Sequence, residues 1–265
     1  MQIIEQFTCS KTGDPSLNED ALWIDETFCL VADGVTSKHH ASFHGKTGGR
    51  IAVECMISAL KRCSGDEDAR TVLSLMQNEI RQFVKKHAIP DMISPQASAL
   101  IYNRTHRELW SIGDCPFIIN GTHYKNEKRI DQLLSQLRKV VIETLLMDGY
   151  TQPQIQQHDL SREMILPFLK LQPKLIDSDS AFSYSVIDGK HPAKDFKVIP
   201  IPEGSELILA TDGYPMLKTS LAESEATLAK LISDDPLCFR LCPGTKGITP
   251  GNLSFDDRTY LKIIT

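Results

Sequence analysis

FCLVADGVTSKHH, residues 28–40, is an apolar run that ends on Asp33-Gly34 and then turns abruptly polar. An apolar run closed by Asp-Gly reads first as a strand followed by a chain reversal, because both residues tolerate positive φ. The same figure recurs along the chain. Asp212 ends ELILATDG (206–213), Asp114 ends ELWSIGD (108–114), Asp256 precedes the strand in SFDDRTYLKII (254–264), and Asn18-Glu19-Asp20 precedes ALWID (21–25). Each acid stands where an apolar strand leaves or enters the core. Taken singly, each is turn punctuation, as Asp148-Gly149 and Asp188-Gly189 are read to be at a helix end and a hairpin. Gathered at one sheet edge, such acids would repel one another and rise in pKa unless cations neutralised them. Hard divalent ions such as Mg²⁺ and Mn²⁺ take oxygen ligands of this kind.

Further strand-like runs lie at 2–9, 21–25, 97–103, 108–112, 116–120, 182–187, 196–200, 206–211 and 259–264. They are short and bounded by turn residues, as in hairpin-connected antiparallel sheets. Helical spacing of apolar residues covers 46–62, 67–87, 128–148 and 152–171, with Gly149 as the residue that closes the third helix. Helices therefore come in pairs between blocks of strands, not one per strand as in a parallel α/β fold. The expectation is an α+β fold, two antiparallel sheets face to face with helices outside. No linker or repeat divides the chain, so a single domain over 1–265 is expected.

The composition is ordinary for a globular protein: 265 residues, 41% hydrophobic, 24% charged. A net charge of −5 leaves no basic footprint for nucleic acid. No apolar run reaches the roughly 18 residues needed to span a bilayer, and the N-terminus has no signal-like region, so no membrane partner and a cytoplasmic location are expected. Seven scattered cysteines, several in apolar runs, do not read as a disulfide framework. Cys238 and Cys242 lack a nearby second ligand pair and make a poor zinc site. GKT at 45–47 ends like a phosphate-binding P-loop, but His40 stands where the first glycine belongs.

In order, NEDALWID, FCLVADGVTS, GGRIAVE, QASALIYNRTHRELWSIGDCPFIING, ELILATDGYPML and DDRTYLKII resemble the successive motifs of the metal-dependent protein phosphatase (protein phosphatase 2C) family, from about residue 18 to the C-terminus. The resemblance implies a four-layer α-β-β-α sandwich and a bacterial-type catalytic domain, with a helical flap-like segment at about 125–175. It also implies two Mn²⁺ or Mg²⁺ ions, with a third, weaker one in bacterial members. Asp33 would bridge the two, and Gly34 would offer its carbonyl oxygen to one of them. Asp212 and Asp256 would complete the first site, Glu19 would serve the second with Asp20 acting through water, and Asp114 with Asp212 would take the third. Two such cations about 3.5–4 Å apart activate a bridging water for attack on a phosphoryl group, and no protein nucleophile is needed. The implied activity is removal of phosphate from phosphoserine or phosphothreonine, on a phosphorylated protein. A small phosphate ester as substrate, and a non-catalytic binding module on the same fold, remain the alternatives.

Three departures stand out. Pro15 occupies the position where family members acting on phosphoproteins carry a phosphate-gripping arginine, which leaves Lys11 or Arg50 as substitutes. Val35 follows Asp33-Gly34 where eukaryotic members often place a histidine as general acid. His40, with neighbours His39 and His44, is the candidate proton donor. The last motif reads Asp256-Asp257 instead of Asp-Asn. In the flap, LSREMILPFLKLQ (160–172) carries Arg162 and Lys170, either on a solvated helix face or for recognition of substrate or partner.

Overall fold

The computed structural model describes residues 1–39, 41–43 and 45–265, apart from the Met92 side chain. The chain opens with β1 (Gln2–Cys9), β2 (Ala21–Ile24) and β3 (Phe28–Gly34), then a small antiparallel pair, β4 (Ser42–Phe43) and β5 (Lys46–Thr47). Helices α1 (Gly48–Leu60) and α2 (Ala69–Lys86) lead to β6 (Ala97–Asn103), β7 (Glu108–Ile112), β8 (Phe117–Ile119) and β9 (Thr122–Tyr124). Next come α3 (Arg129–Met147), α4 (Gln152–Gln157) and α5 (Leu160–Leu171), then β10 (Phe196–Pro200), β11 (Glu206–Ala210), α6 (Leu221–Asp234) and β12 (Arg258–Ile264).

Two five-stranded sheets form, in the orders β10-β7-β6-β3-β2 and β1-β12-β11-β8-β9, with every pairing antiparallel. The alternation along β3 shows how they stack. Cys29 and Val31 point between the sheets, into a core with Leu100, Leu207, Leu209, Leu261 and Ile263. Leu30 and Ala32 point the other way, onto Ala52, Val53, Met56 and Met76 of α1 and α2. A strand covered on both faces reads as a continuous apolar run, which is why 28–32 shows no polar alternation. On the far side, Ile208, Ala210 and Tyr260 pack against Leu228 and Leu231 of α6. The layers are α-β-β-α, as the motifs imply.

Several local expectations change. Residues 182–187 form no strand; Ala97–Ile187 and Ile176–Tyr184 are isolated bridges. The segment is held by side chains instead: Asp177 accepts from Ser185 Oγ and from the Lys194 amide. Asp188-Gly189 is no hairpin either, because the Asp188 carboxylate turns the chain by accepting the Lys190 and His191 amides, each at 2.9 Å. The 152–171 helix is two, broken where Asp159 caps α5 by accepting the Arg162 amide at 2.9 Å. Helix α6 is an element the sequence reading did not place, although its buried Ser224, Leu228 and Leu231 follow helical spacing. Gly149 does close α3: its φ is +90°, its amide reaches Leu146 O and that of Tyr150 reaches Leu145 O. GKT runs through β5 to the cap of α1, where Thr47 Oγ1 accepts the Arg50 amide and Lys46 pairs with Glu54. Among the described residues, no helix is long and apolar enough to cross a membrane.

Candidate active site

Strands β3, from one sheet, and β11 and β12, from the other, share the inter-sheet core, so their ends reach the same edge of the sandwich. Asp33, Asp212 and Asp256 line one cleft there, together with Asp114. Neither Gly34 nor Gly213 has a positive φ, so the Asp-Gly pairs do not serve as left-handed turns. Close approach is what they provide. A Cβ on Gly34 would fall 2.4 Å from the Glu19 carbonyl oxygen and 2.6 Å from the Gly49 backbone, and one on Gly213 would fall 2.0 Å from the Asp257 carbonyl oxygen. The glycines let the acid-bearing segments touch through their backbones.

Second carboxylates fasten this arrangement. Asp257 is buried and accepts the Lys11 and Glu19 amides, each at 2.8 Å, so the extra acid of the last motif holds the Glu19 segment in place. Asp20 Oδ2 accepts from Thr211 Oγ1 at 2.7 Å and Thr259 Oγ1 at 3.0 Å, tying the entry of β2 to β11 and β12. Burial, and then the carboxylates of Asp257, Asp256 and Asp212, raise the Asp20 carboxyl well above the usual range against the pull of the Thr211 hydrogen bond.

Asp33 and Asp212 face the cleft, and Glu19 is buried beside it. Among the described residues, no donor reaches the Asp33 or Asp212 carboxylate. Burial, followed by Asp212, Asp20, Asp114 and Asp256, pushes the Asp33 carboxyl well above the usual range. Asp212 reaches the cleft solvent, yet loss of hydration among surrounding protein, with Asp256 and Asp114, pushes it up to about 6. Glu19 accepts from Thr36 Oγ1 on Oε2, whereas its Oε1 is buried with no partner.

Lysines neutralise part of this charge. Lys11 Nζ stands 3.1 Å from Asp256, 3.5 Å from Glu19 and 3.6 Å from Asp257. Lys246 also pairs with Asp256, and Lys128 lies 2.9 Å from Asp114, whose other oxygen accepts from Ser98 Oγ at 2.7 Å. Against the opposing effect of burial, Lys246 and Lys11 hold Asp256 well below the usual carboxylate range, and Lys128 and Ser98 hold Asp114 below it. Among the described residues, no three His, Cys, Asp or Glu side chains already converge on one ligating point. The donor set nonetheless suits a hard divalent cation: it is all oxygen, two of its carboxylates lack donors, and the buried Glu19 Oε1 is orphaned.

The other candidates separate. Lys11 sits inside the acid cluster as an internal counter-charge. Arg50 lies away from the cleft lining, bonded to Glu54 at 3.0 Å and to the Asp20 carbonyl oxygen at 3.4 Å. His39 lines the cleft, and its Nε2 is buried without a partner. His40 and His44 lie outside the described residues. Arg162 and Lys170 of α5 also line the cleft, with Lys38 after β3. Sequence reasoning missed Thr36, Lys38, Lys128 and Lys246; all four come from irregular segments beside strand or helix ends, where no periodicity marks a side chain as inward.

A family model described as protein phosphatase 2C matches residues 11–234. Among solved structures, the serine/threonine phosphatase PstP/Ppp of Mycobacterium tuberculosis is 14% identical, with 99% of this chain and 98% of that one covered and a TM-score of 0.51. The catalytic domain of PstP in complex with two manganese ions is also 14% identical, with the same coverage and a TM-score of 0.50. The serine/threonine phosphatase Stp1 of Staphylococcus aureus is 12% identical, covering 100% of this chain and 95% of that one, with a TM-score of 0.51. At these identities the likeness is one of fold. Comparison with curated protein sequences returns no match.

Proposed function

The chain belongs to the protein phosphatase 2C family, and from that premise we propose that the cleft acids carry out its metal-dependent serine/threonine phosphatase chemistry on a phosphorylated protein. The observation that carries the assignment is the meeting of Asp33, Asp212 and Asp256 at one sandwich edge, beside a buried Glu19 Oε1 with no donor. Asp33, Asp212 and Asp256 would hold one Mn²⁺ or Mg²⁺ ion. Asp33, the Gly34 carbonyl and Glu19 Oε1 would hold a second, with Asp20 acting through water, and Asp114 with Asp212 a third. Bound there, such ions supply an activated water and neutralise charge gathering on the transferring phosphoryl group.

The protein's own groups do the rest. Thr36 fixes Glu19 by donating to Oε2, while Oε1 lies at the contact between Gly34 and Gly49. Asp257 fixes the same segment through two amides. His39, which lines the cleft, is the histidine that would protonate the departing serine or threonine oxygen, in place of the unavailable Val35. The helices between β9 and β10 form the flap over the cleft, and α5 provides part of its wall. A cytoplasmic location fits the composition.

The test uses purified protein with p-nitrophenyl phosphate, phosphoserine and phosphothreonine peptides, and phosphorylated metabolites. Hydrolysis should require Mn²⁺ or Mg²⁺, stop with chelator, and fall at least about a hundredfold in Asp33→Ala and Asp212→Ala. Peptides should be preferred over metabolites. Absence of both turnover and Mn²⁺ binding would refute the assignment.

A further inference from the structure

Three cations on the cleft wall have no acid. Lys11, Lys128 and Lys246 each stand against a carboxylate, but among the described residues Lys38, Arg162 and Lys170 form no ion pair. Two of the three are held in place by neutral acceptors instead. Lys38 Nζ donates to the Thr36 carbonyl at 2.9 Å, and Arg162 Nη1 donates to the Thr245 carbonyl at 2.6 Å. These bonds fix the positions of the charges without neutralising them. Arg162 also disturbs Lys38: burial, and then Lys246 and Arg162, lower the Lys38 ammonium to about 8 against the opposing pull of Asp256 and Asp131. Asp131 and Asp256, which line the same cleft, offset these charges without forming an ion pair to either; partly buried like charges so weakly compensated are costly, and an anion between them lowers the cost.

The cleft is thus divided by charge. Carboxylates at the strand ends suit cations, and the wall formed by α5 and the segment after β3 suits an anion. Arg162 adds a planar fork matched to two phosphate oxygens, and Lys38 a point charge. We propose that Arg162 and Lys38, with Lys170 at the rim, receive the phosphate dianion of the substrate, so that the helical flap supplies the grip which Pro15 cannot. The inference rests on the phosphatase assignment above, and it makes the flap part of the substrate site.

Arg162→Gln, Lys38→Met and the conservative Arg162→Lys test it in the full chain with Mn²⁺ present. Inorganic phosphate binding is measured by calorimetry, KM on a phosphothreonine peptide by steady-state kinetics, and Mn²⁺ binding by a separate titration. Arg162→Gln and Lys38→Met should each weaken phosphate binding and raise KM by roughly ten- to a hundredfold. Arg162→Lys should recover part of the loss, and Mn²⁺ affinity should stay within about twofold throughout. Because the two residues lie on different segments, misfolding of one variant leaves the other as a test. Phosphate affinity and KM within about twofold of wild type in both Arg162→Gln and Lys38→Met would overturn the inference while the phosphatase assignment stood. A wild-type protein that neither binds Mn²⁺ nor turns over substrate would overturn the assignment itself.

Discussion

Gly49→Ala tests whether backbone contact positions the site. Helix α1 sets its first turn against the last residue of β3, and a Cβ at position 49 would lie 2.6 Å from the Gly34 carbonyl carbon, 2.7 Å from its oxygen and 2.8 Å from Glu19 Oε1. Two of these atoms are backbone, so relief requires α1 or β3 to move. Forcing a methyl group into such a contact costs about 1–3 kcal/mol, partly offset by up to about 1 kcal/mol of helix propensity. Gly48→Ala is the internal control. It changes the same helical turn, but its Cβ would meet nothing nearer than Pro95 Cα at 3.6 Å. Propensity largely cancels between the two variants. With a clash of about 2 kcal/mol and about 2–4 °C per kcal/mol for a chain near this size, Gly49→Ala should melt about 4–8 °C below Gly48→Ala in calorimetry. It should also bind Mn²⁺ at least about tenfold more weakly, because the Gly34 carbonyl and Glu19 are the groups displaced. Melting temperatures within about 1 °C of each other, with equal Mn²⁺ titrations, would refute the reasoning.

Four further outcomes follow from other contacts. His39→Asn should lower kcat on a phosphoserine peptide by about a hundredfold and on p-nitrophenyl phosphate far less, since only the alkoxide needs a proton donor; equal losses on both would remove His39 from that role. Saturating Mn²⁺ should raise the melting temperature, by about 2.7 kcal/mol in stability at a hundred times the dissociation constant, and Lys246→Met should bind Mn²⁺ more tightly because no ammonium then competes for Asp256; weaker binding by that variant would contradict the competition. Lys38 has a folded pKa of about 8 against an ordinary 10.5. The native state therefore binds fewer protons than the unfolded chain between those values, and stability contributed by this group rises with pH across the window. In phosphate-free buffer, Lys38→Met should accordingly melt higher than wild type at pH 7, with the gap narrowing from about pH 8 to 10.5, and a constant gap would show that the charge is not strained.

The β3 run was legible because the fold makes it so: a strand covered by helices on one face and by a second sheet on the other has no polar alternation to obscure it. The acids beside it and beside β11 and β12 were legible because they flank such runs: Asp33 directly follows the apolar run of β3, Asp212 follows β11 after Thr211, and Asp256 stands just before β12. The break at Asp159 and the irregular 182–187 segment were not. Asp159, Asp177 and Asp188 bend the chain by accepting nearby amides, and such local competition for backbone hydrogen bonds carries no period.

The Asp-Gly pairs show where legibility stops. From sequence, glycine after aspartate signals a turn with positive φ, yet Gly34 and Gly213 are needed for contact with segments far along the chain, Gly49 and Asp257. No local pattern encodes a partner at that distance; only the stacking of two sheets supplies it. The cations follow the same logic with less warning. Lys38 and Lys246 come from loops, and Arg162 from the first turn of a helix whose cap, Asp159, also binds the buried Arg138. Their common feature, a place on the same cleft as the acids, exists only once α5 and these loops line the cleft at the sandwich edge. The acids belong to strand ends and are constrained by the core, whereas the cations belong to segments that can change without disturbing it. Substrate choice in this chain should therefore be sought in the flap and the segment after β3, and metal chemistry in the strand ends.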